Sequence, residues 1–223
     1  MASHDDALHA APVSAAPPSD AATVRAVVFD IGNVLIRWDP RNLYRNIFET
    51  TAEMEHFLSS IVGMGWVSQM DAGKPWAQGV AELSAQYPEF AAQISAFDTR
   101  WHETVGGEIP EAVDLLLRIA RRGIPCYGLT NFAAEKFAET VPHHTFFQAF
   151  KGVVVSGREG CIKPDQRIFD IMIARYDLDP AHTLFIDDNP ANVATAERMG
   201  FITHRFTEPA HLLETAAGLR LYP

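Results

Sequence analysis

The chain has 223 residues, 48% of them hydrophobic and 21% charged. This is ordinary globular composition, with room for one domain carrying a smaller insert and for a core that needs no disulfide or metal staple. Its formal net charge of -10 repels a phosphate backbone, which sets nucleic acid aside as a partner but leaves small anions, since those answer to the local field of a cleft.

No apolar stretch is long enough for a membrane span. The two cysteines, Cys126 and Cys161, stand in no metal-ligand or redox spacing, so both read as reduced thiols of a cytoplasmic protein. Residues 1–22 are rich in Ala, Pro and Ser, with neither the basic region nor the apolar segment of a signal peptide; a disordered tail is expected. VRAVVF (24–29) is short, apolar and β-branched, and reads as a strand. Residues 41–108 hold no convincing strand; helical stretches at 51–62, 76–87 and 89–105 read together as an all-helical cap. Beyond them helix and strand alternate. EAVDLLLRIARRG (111–123) and PANVATAERMG (190–200) each close on glycine, and PDQRIFDIMIARYDL (164–178) is expected to open its helix with Pro164. IPCYGL (124–129), KGVVVS (151–156), TLFID (183–187) and FITHRF (201–206) are the other strands. Nearly continuous apolar strands between helices predict a parallel sheet buried on both faces, in an α/β fold with a Rossmann-like three-layer α/β/α core. The expected domains are a core of 23–40 and 109–223 and a cap of 41–108 inserted after the first strand.

Four strands are followed by unusual polar residues. Asp30 ends the first, Thr130 and Asn131 follow the second, Lys163 comes after the third, and Asp187 and Asp188 close the fourth. In a parallel sheet these groups collect at one edge. Each alone has a plainer reading: a turn residue, a helix cap or a surface lysine. Together they supply a carboxylate nucleophile, a hydroxyl donor, an ammonium and acids for a cation, which is the equipment for phosphoryl transfer.

In this order the segments FDIGNV, LTN, IKPD and IDDNPANV resemble the four motifs of the haloacid dehalogenase (HAD) superfamily, over residues 24 to 217. The resemblance implies a Mg²⁺-dependent phosphatase with Asp30 as nucleophile, Thr130 on the phosphate and Lys163 as the third-motif cation. It also implies a metal held by Asp30, the Gly32 carbonyl and Asp188, with Asp187 beside them. FDIGNVLIRWDPRN looks like a branch that includes sugar-phosphate phosphatases such as those acting on glucose 1-phosphate, so a small phosphorylated metabolite is the expected substrate and a monomer or homodimer the expected state. One departure stands out: where most members carry a second aspartate that protonates the leaving group, this chain has Gly32. Asp39 is either a substitute acid or the cap of the next helix. Trp66 is either a substrate contact or cap core. Asn131 and Asn33 are candidate substrate contacts, Asn33 also as a brace for the turn after Asp30, and Asn192 is placed to brace the metal shell. Two other readings remain open: a 2-haloacid dehalogenase using Asp30 without metal, and a HAD-fold binding module with weak or no chemistry.

Overall fold

A computed structural model describes residues 23–222; the expected N-terminal tail lies outside the described residues. Ala26–Phe29 form β1, with every residue buried, and Ile36–Trp38 form β2. An insertion of helices follows: α1 (Arg41–Tyr44), α2 (Thr51–Ser60), α3 (Met64–Asp71), α4 (Trp76–Gln86) and α5 (Ala91–Thr99). β3 (Val105–Glu108) closes it by pairing antiparallel with β2. The core resumes with α6 (Pro110–Arg121), β4 (Cys126–Thr130), α7 (Ala134–Thr140), β5 (Gly152–Val155), α8 (Ser156–Glu159) and α9 (Gln166–Tyr176), and ends with β6 (Thr183–Asp187), α10 (Pro190–Arg198), β7 (Ile202–Arg205) and α11 (Pro209–Gly218).

All five strands expected from the sequence lie in one parallel sheet, ordered β5-β4-β1-β6-β7. Leu115, Leu116 and Ile119 of α6 and Leu212 of α11 pack on one face, and Ile168, Phe169 and Met172 of α9 and Ala196 of α10 on the other. Both faces are therefore dry, as the apolar strands require. Gly123 and Gly200, just past α6 and α10, sit at φ +84° and +89°, where glycine ends a helix without strain. The chain runs outward from β1 to β4 and β5, then crosses back to β6 and β7. Open α/β sheets bind ligands beyond the carboxyl ends of strands where the order reverses. Here that point lies between β1 and β6, and the Asp30 N–H donates to the Ile186 carbonyl across it (2.8 Å). Among the described residues no helix is long and apolar enough to cross a membrane.

The structure departs from the sequence reading in three places. Residues 105–108 are a strand, because the two chain segments entering and leaving the insertion pair with each other; a Cβ at Gly106 would lie 3.1 Å from that of Arg37, and Gly107 sits at φ +88°. Residues 89–105 are not one helix: α5 ends at Thr99 and a 3₁₀ turn at Trp101–Thr104 follows, which buries Trp101 against Trp38 and Phe97. Pro164 stays outside α9. Its carbonyl accepts from Thr195 Oγ1 (3.1 Å), and Asp165 caps the helix by accepting the Arg167 N–H (2.9 Å).

The cap has its own aromatic core, built on Tyr44, Phe57, Trp66, Trp76, Phe97 and Trp101. It is tied to the core through α7 and the residue before it. Lys136, only 4% exposed, reaches the Asp98 carbonyl (3.0 Å) and carboxylate (2.7 Å) as well as Glu139 (2.9 Å). Trp101 Nε1 donates to Thr140 Oγ1 (3.4 Å), and the Trp76 N–H donates to Glu135 (3.4 Å). Asp71, at the end of α3, accepts the Ala133 N–H, and burial pushes its carboxyl up to about 7 against the pull of that bond.

An acid whose folded pKa lies above its unfolded value holds its proton in the folded chain over the window between the two. Stability is then lost as pH rises from about 4, the unperturbed value, to about 7. Urea titrations across this window should show Asp71→Asn losing less stability than wild type, by on the order of a few kcal/mol at the upper end. Parallel pH profiles for the two proteins would contradict this.

Candidate active site

Asp30 stands one residue beyond β1 and is 7% exposed. Its Oδ1 accepts from the Ile31 N–H (2.7 Å) and from Lys163 Nζ (2.9 Å); among the described residues no hydrogen-bond donor is assigned to Oδ2. Burial pushes the carboxyl up to about 7, Lys163 opposes the rise, and Asp187 and Asp188 add to it. Lys163 spends its three ammonium protons on Asp30, Asp187 Oδ2 (2.6 Å) and the Leu129 carbonyl (2.8 Å). Burial alone would lower its pKa; Asp187 and Asp30 more than reverse that, so the ammonium stays charged.

Asp187 is fully buried and saturated. Oδ1 accepts from the Asn189 N–H (2.9 Å) and Asn192 Nδ2 (2.9 Å), while Oδ2 accepts from Lys163 and Asn192 (3.1 Å). Asn192 thus braces this carboxylate from the first turn of α10, as its place in the sequence suggested. Asp188 is half-buried, and its carboxyl is raised first by burial and then by Asp187. Asp30, Asp187 and Asp188 each present an oxygen within 4.8 Å of the others. Three carboxylates against one ammonium leave negative charge uncompensated. Hard oxygen donors in this state fit a divalent cation such as Mg²⁺.

Thr130 is buried at the end of β4, in register with Val155 of β5. Asn131, expected as a substrate contact, turns both ends of its amide to the Lys163 backbone: Nδ2 donates to the carbonyl (2.9 Å) and Oδ1 accepts the N–H (2.8 Å). Its work here is to hold Lys163 in place. Ser156, which nothing in the sequence singled out, accepts the Phe132 N–H (2.9 Å) and fixes the same loop. A serine after an apolar strand carries no signal until its partner is known.

The segment after Asp30 folds into a tight flap. Ile36 bonds Ile31 and Asn33 along the backbone (3.0 and 2.7 Å), a ladder that leaves the Gly32 carbonyl out. Asn33 sits at φ 56° and its Oδ1 accepts the Trp38 N–H (3.0 Å), so it braces the turn. A Cβ at Gly32 would meet nothing within 4 Å. Asp39 caps α1 by accepting the Arg41 N–H (2.9 Å), the plainer of its two expected roles. Trp66 is buried in the cap, donating to the Gly79 carbonyl (3.3 Å) with its ring edge-on to Trp76. The structure places it in the cap core rather than with the strand-end cluster.

Comparison with known proteins gives the family and the fold. A family model described as haloacid dehalogenase-like hydrolase matches residues 24–200. The sesquiterpene phosphatase astK of Aspergillus oryzae is 27% identical, over 83% of this chain and 91% of its own length. A predicted HAD-like family hydrolase from Porphyromonas gingivalis shares 26% identity and a TM-score of 0.67, over 88% of this chain and 98% of that one. A HAD family enzyme from Bacteroides thetaiotaomicron, solved with magnesium and inorganic phosphate, has a TM-score of 0.64 at 22% identity, over 85% and 98% of the two chains.

Removing one member of a buried, hydrogen-bonded ion pair leaves the other charged and unpaired. Asp187→Ala should therefore lower the unfolding free energy at neutral pH by about 3–5 kcal/mol, measured by denaturant titration. A loss below about 1 kcal/mol, the range of an exposed pair, would show that Lys163 does not depend on this carboxylate.

Proposed function

The chain belongs to the haloacid dehalogenase-like hydrolases, and we propose that it is a Mg²⁺-dependent phosphatase acting on a small phosphorylated metabolite through an aspartyl phosphate on Asp30. The observation that carries this reading is the state of Asp30. One carboxylate oxygen is held by Lys163 and the Ile31 N–H, the other has no donor among the described residues, and two further acids stand beside it.

In the first step an Asp30 oxygen attacks phosphorus. A carboxylate–phosphorus bond forms, the ester P–O bond breaks, and the leaving oxygen departs with the electron pair and takes a proton from solvent. In the second step a water oxygen attacks the same phosphorus. The bond to Asp30 breaks, its carboxylate is regenerated, and inorganic phosphate leaves as dihydrogen phosphate, carrying the water oxygen and both of its protons, which it then exchanges with solvent. Lys163 steadies Asp30 and offsets negative charge, and Thr130, at the end of the neighbouring strand, donates to a phosphoryl oxygen. Asp30, Asp188 and the Gly32 carbonyl would hold Mg²⁺, which when bound neutralises phosphoryl charge. Asp187, with its oxygens committed, positions Lys163. The phosphatase named among the relatives and the magnesium and phosphate of the Bacteroides fold relative support the same reading. A dehalogenase would have to seat a carboxylate substrate beside three carboxylates that share one ammonium, which weighs against that alternative.

Hydrolysis of para-nitrophenyl phosphate tests the reading directly, because its leaving group needs no acid. Turnover should require Mg²⁺, stop with EDTA and fall to background in Asp30→Asn; turnover that survives EDTA and Asp30→Asn would sink it. Gly32→Asp tests the missing acid. A positioned proton donor contributes roughly 10²–10⁴-fold, and a Cβ at position 32 would meet nothing within 4 Å. The variant should raise kcat on a simple alkyl phosphate by at least about tenfold while changing para-nitrophenyl phosphate turnover much less. An equal change on both esters would mean that leaving-group protonation does not limit this enzyme.

A further inference from the structure

One face of α10 reaches both members of the Lys163–Asp187 pair. Asn192, in the first turn, donates to both oxygens of Asp187 (2.9 and 3.1 Å). Thr195 stands three residues further on, on the same helix face, and like Asn192 it is 3% exposed. A threonine inside a helix commonly bonds back to the carbonyl four residues earlier, which here would be that of Ala191. Thr195 Oγ1 instead donates to the Pro164 carbonyl (3.1 Å), 31 residues away in sequence and next to Lys163.

The direction of that bond is set from the surface. Arg198, exposed in the last turn of α10, lies against Thr195 Oγ1 (2.7 Å). A guanidinium only donates, so the threonine oxygen accepts from Arg198 and its own proton goes to Pro164. Residues 192, 195 and 198 form a column that ends at the site. Asn192 and Thr195 are about 4.5 Å apart along a stiff helix axis, so α10 sets the spacing between Asp187 and the turn at 162–165. Asn131 ties Lys163 to the loop after β4; Thr195 ties the same turn to the helix after β6.

We propose that Thr195 is a positioning residue for the reaction, holding the turn that carries Lys163 at the distance from Asp187 and Asp30 that attack on phosphorus requires. The proposal rests on the phosphatase reading for its effect on rate and on the hydrogen bonds alone for the placement of Lys163.

Thr195→Val removes the hydroxyl and keeps the shape, whereas Thr195→Ser keeps the hydroxyl. A misplacement of about 1 Å costs on the order of 10²-fold, and Asn131 still restrains the turn. Thr195→Val should therefore lower kcat on para-nitrophenyl phosphate about tenfold with KM little changed, and Thr195→Ser should recover most of the loss. Amide hydrogen exchange reads the same turn without turnover. The Lys163 N–H donates to Asn131 (2.8 Å) and the Asp165 N–H to the Ile162 carbonyl (2.9 Å); both should exchange faster in Thr195→Val while the amides of β6 stay as in wild type. Wild-type kcat and wild-type exchange in Thr195→Val would overturn the proposal. So would a loss that Thr195→Ser does not recover, or faster exchange across the whole sheet, either of which marks a merely structural residue. Faster exchange confined to 162–165, in a protein whose wild type hydrolyses no para-nitrophenyl phosphate with Mg²⁺, would leave the placement of Lys163 standing and sink the phosphatase reading.

Discussion

The ammonium of Lys163 is the contact on which the rest of the site depends. It joins the ends of three strands at once: the residue after β1 through Asp30, β4 through the Leu129 carbonyl, and β6 through Asp187. A buried charge is tolerable only when its bonding capacity is filled, and here each partner is secured in turn. Asn131 grips the Lys163 backbone on both sides, Asn192 and the Asn189 N–H complete Asp187, and Ser156 fixes the loop that leaves Thr130. The carboxylate beside this network keeps one oxygen out of it. In the proposed reaction that oxygen is what the framework serves: a nucleophile held still by bonds to its other atom, with no reorganisation needed at attack.

The cap is joined to the same framework by two routes. The β2–β3 ribbon carries the chain out and back, starting from the flap that follows Asp30. Polar ties on the far side run to α7, which begins four residues past Thr130. Lys136 binds Asp98 of the cap, and Ala133, in the loop between Thr130 and α7, donates to Asp71. A shift of the cap therefore pulls on both segments that hold reacting groups. The cap has its own apolar cluster, but Ala133 belongs to it and Phe132 packs against both it and a cluster on the sheet, so the loop after Thr130 fastens the cap by a small apolar seam as well as by polar contacts.

The sheet and the strand-end cluster were legible because a charged or polar residue at the end of a buried strand is expensive and therefore conspicuous. Asp30 after AVVF and Asp187 at the end of TLFID announce themselves. The β2–β3 ribbon did not. Its strands have three and four residues, one holds two glycines, and each is a strand only because its partner lies across the whole cap, as in the Arg37–Glu108 contact 71 residues apart. Trp101 likewise ends a helical pattern through tertiary burial, which local periodicity does not encode. Asn131 and Ser156 carry the same lesson for function. Their side chains meet backbone groups of other loops, and a residue whose role is to hold another in place leaves no pattern of its own.

Position 32 has no carboxyl, and a Cβ there would meet nothing within 4 Å. In the proposed reaction the leaving oxygen therefore has no adjacent proton source on the flap and must carry its negative charge until solvent protonates it. An aromatic oxygen carries that charge well; a simple alkyl oxygen does not, and proton donation by a positioned group is worth roughly 10²–10⁴-fold to it. The chemistry missing at one residue thus discriminates among leaving groups before any contact beyond phosphorus is made.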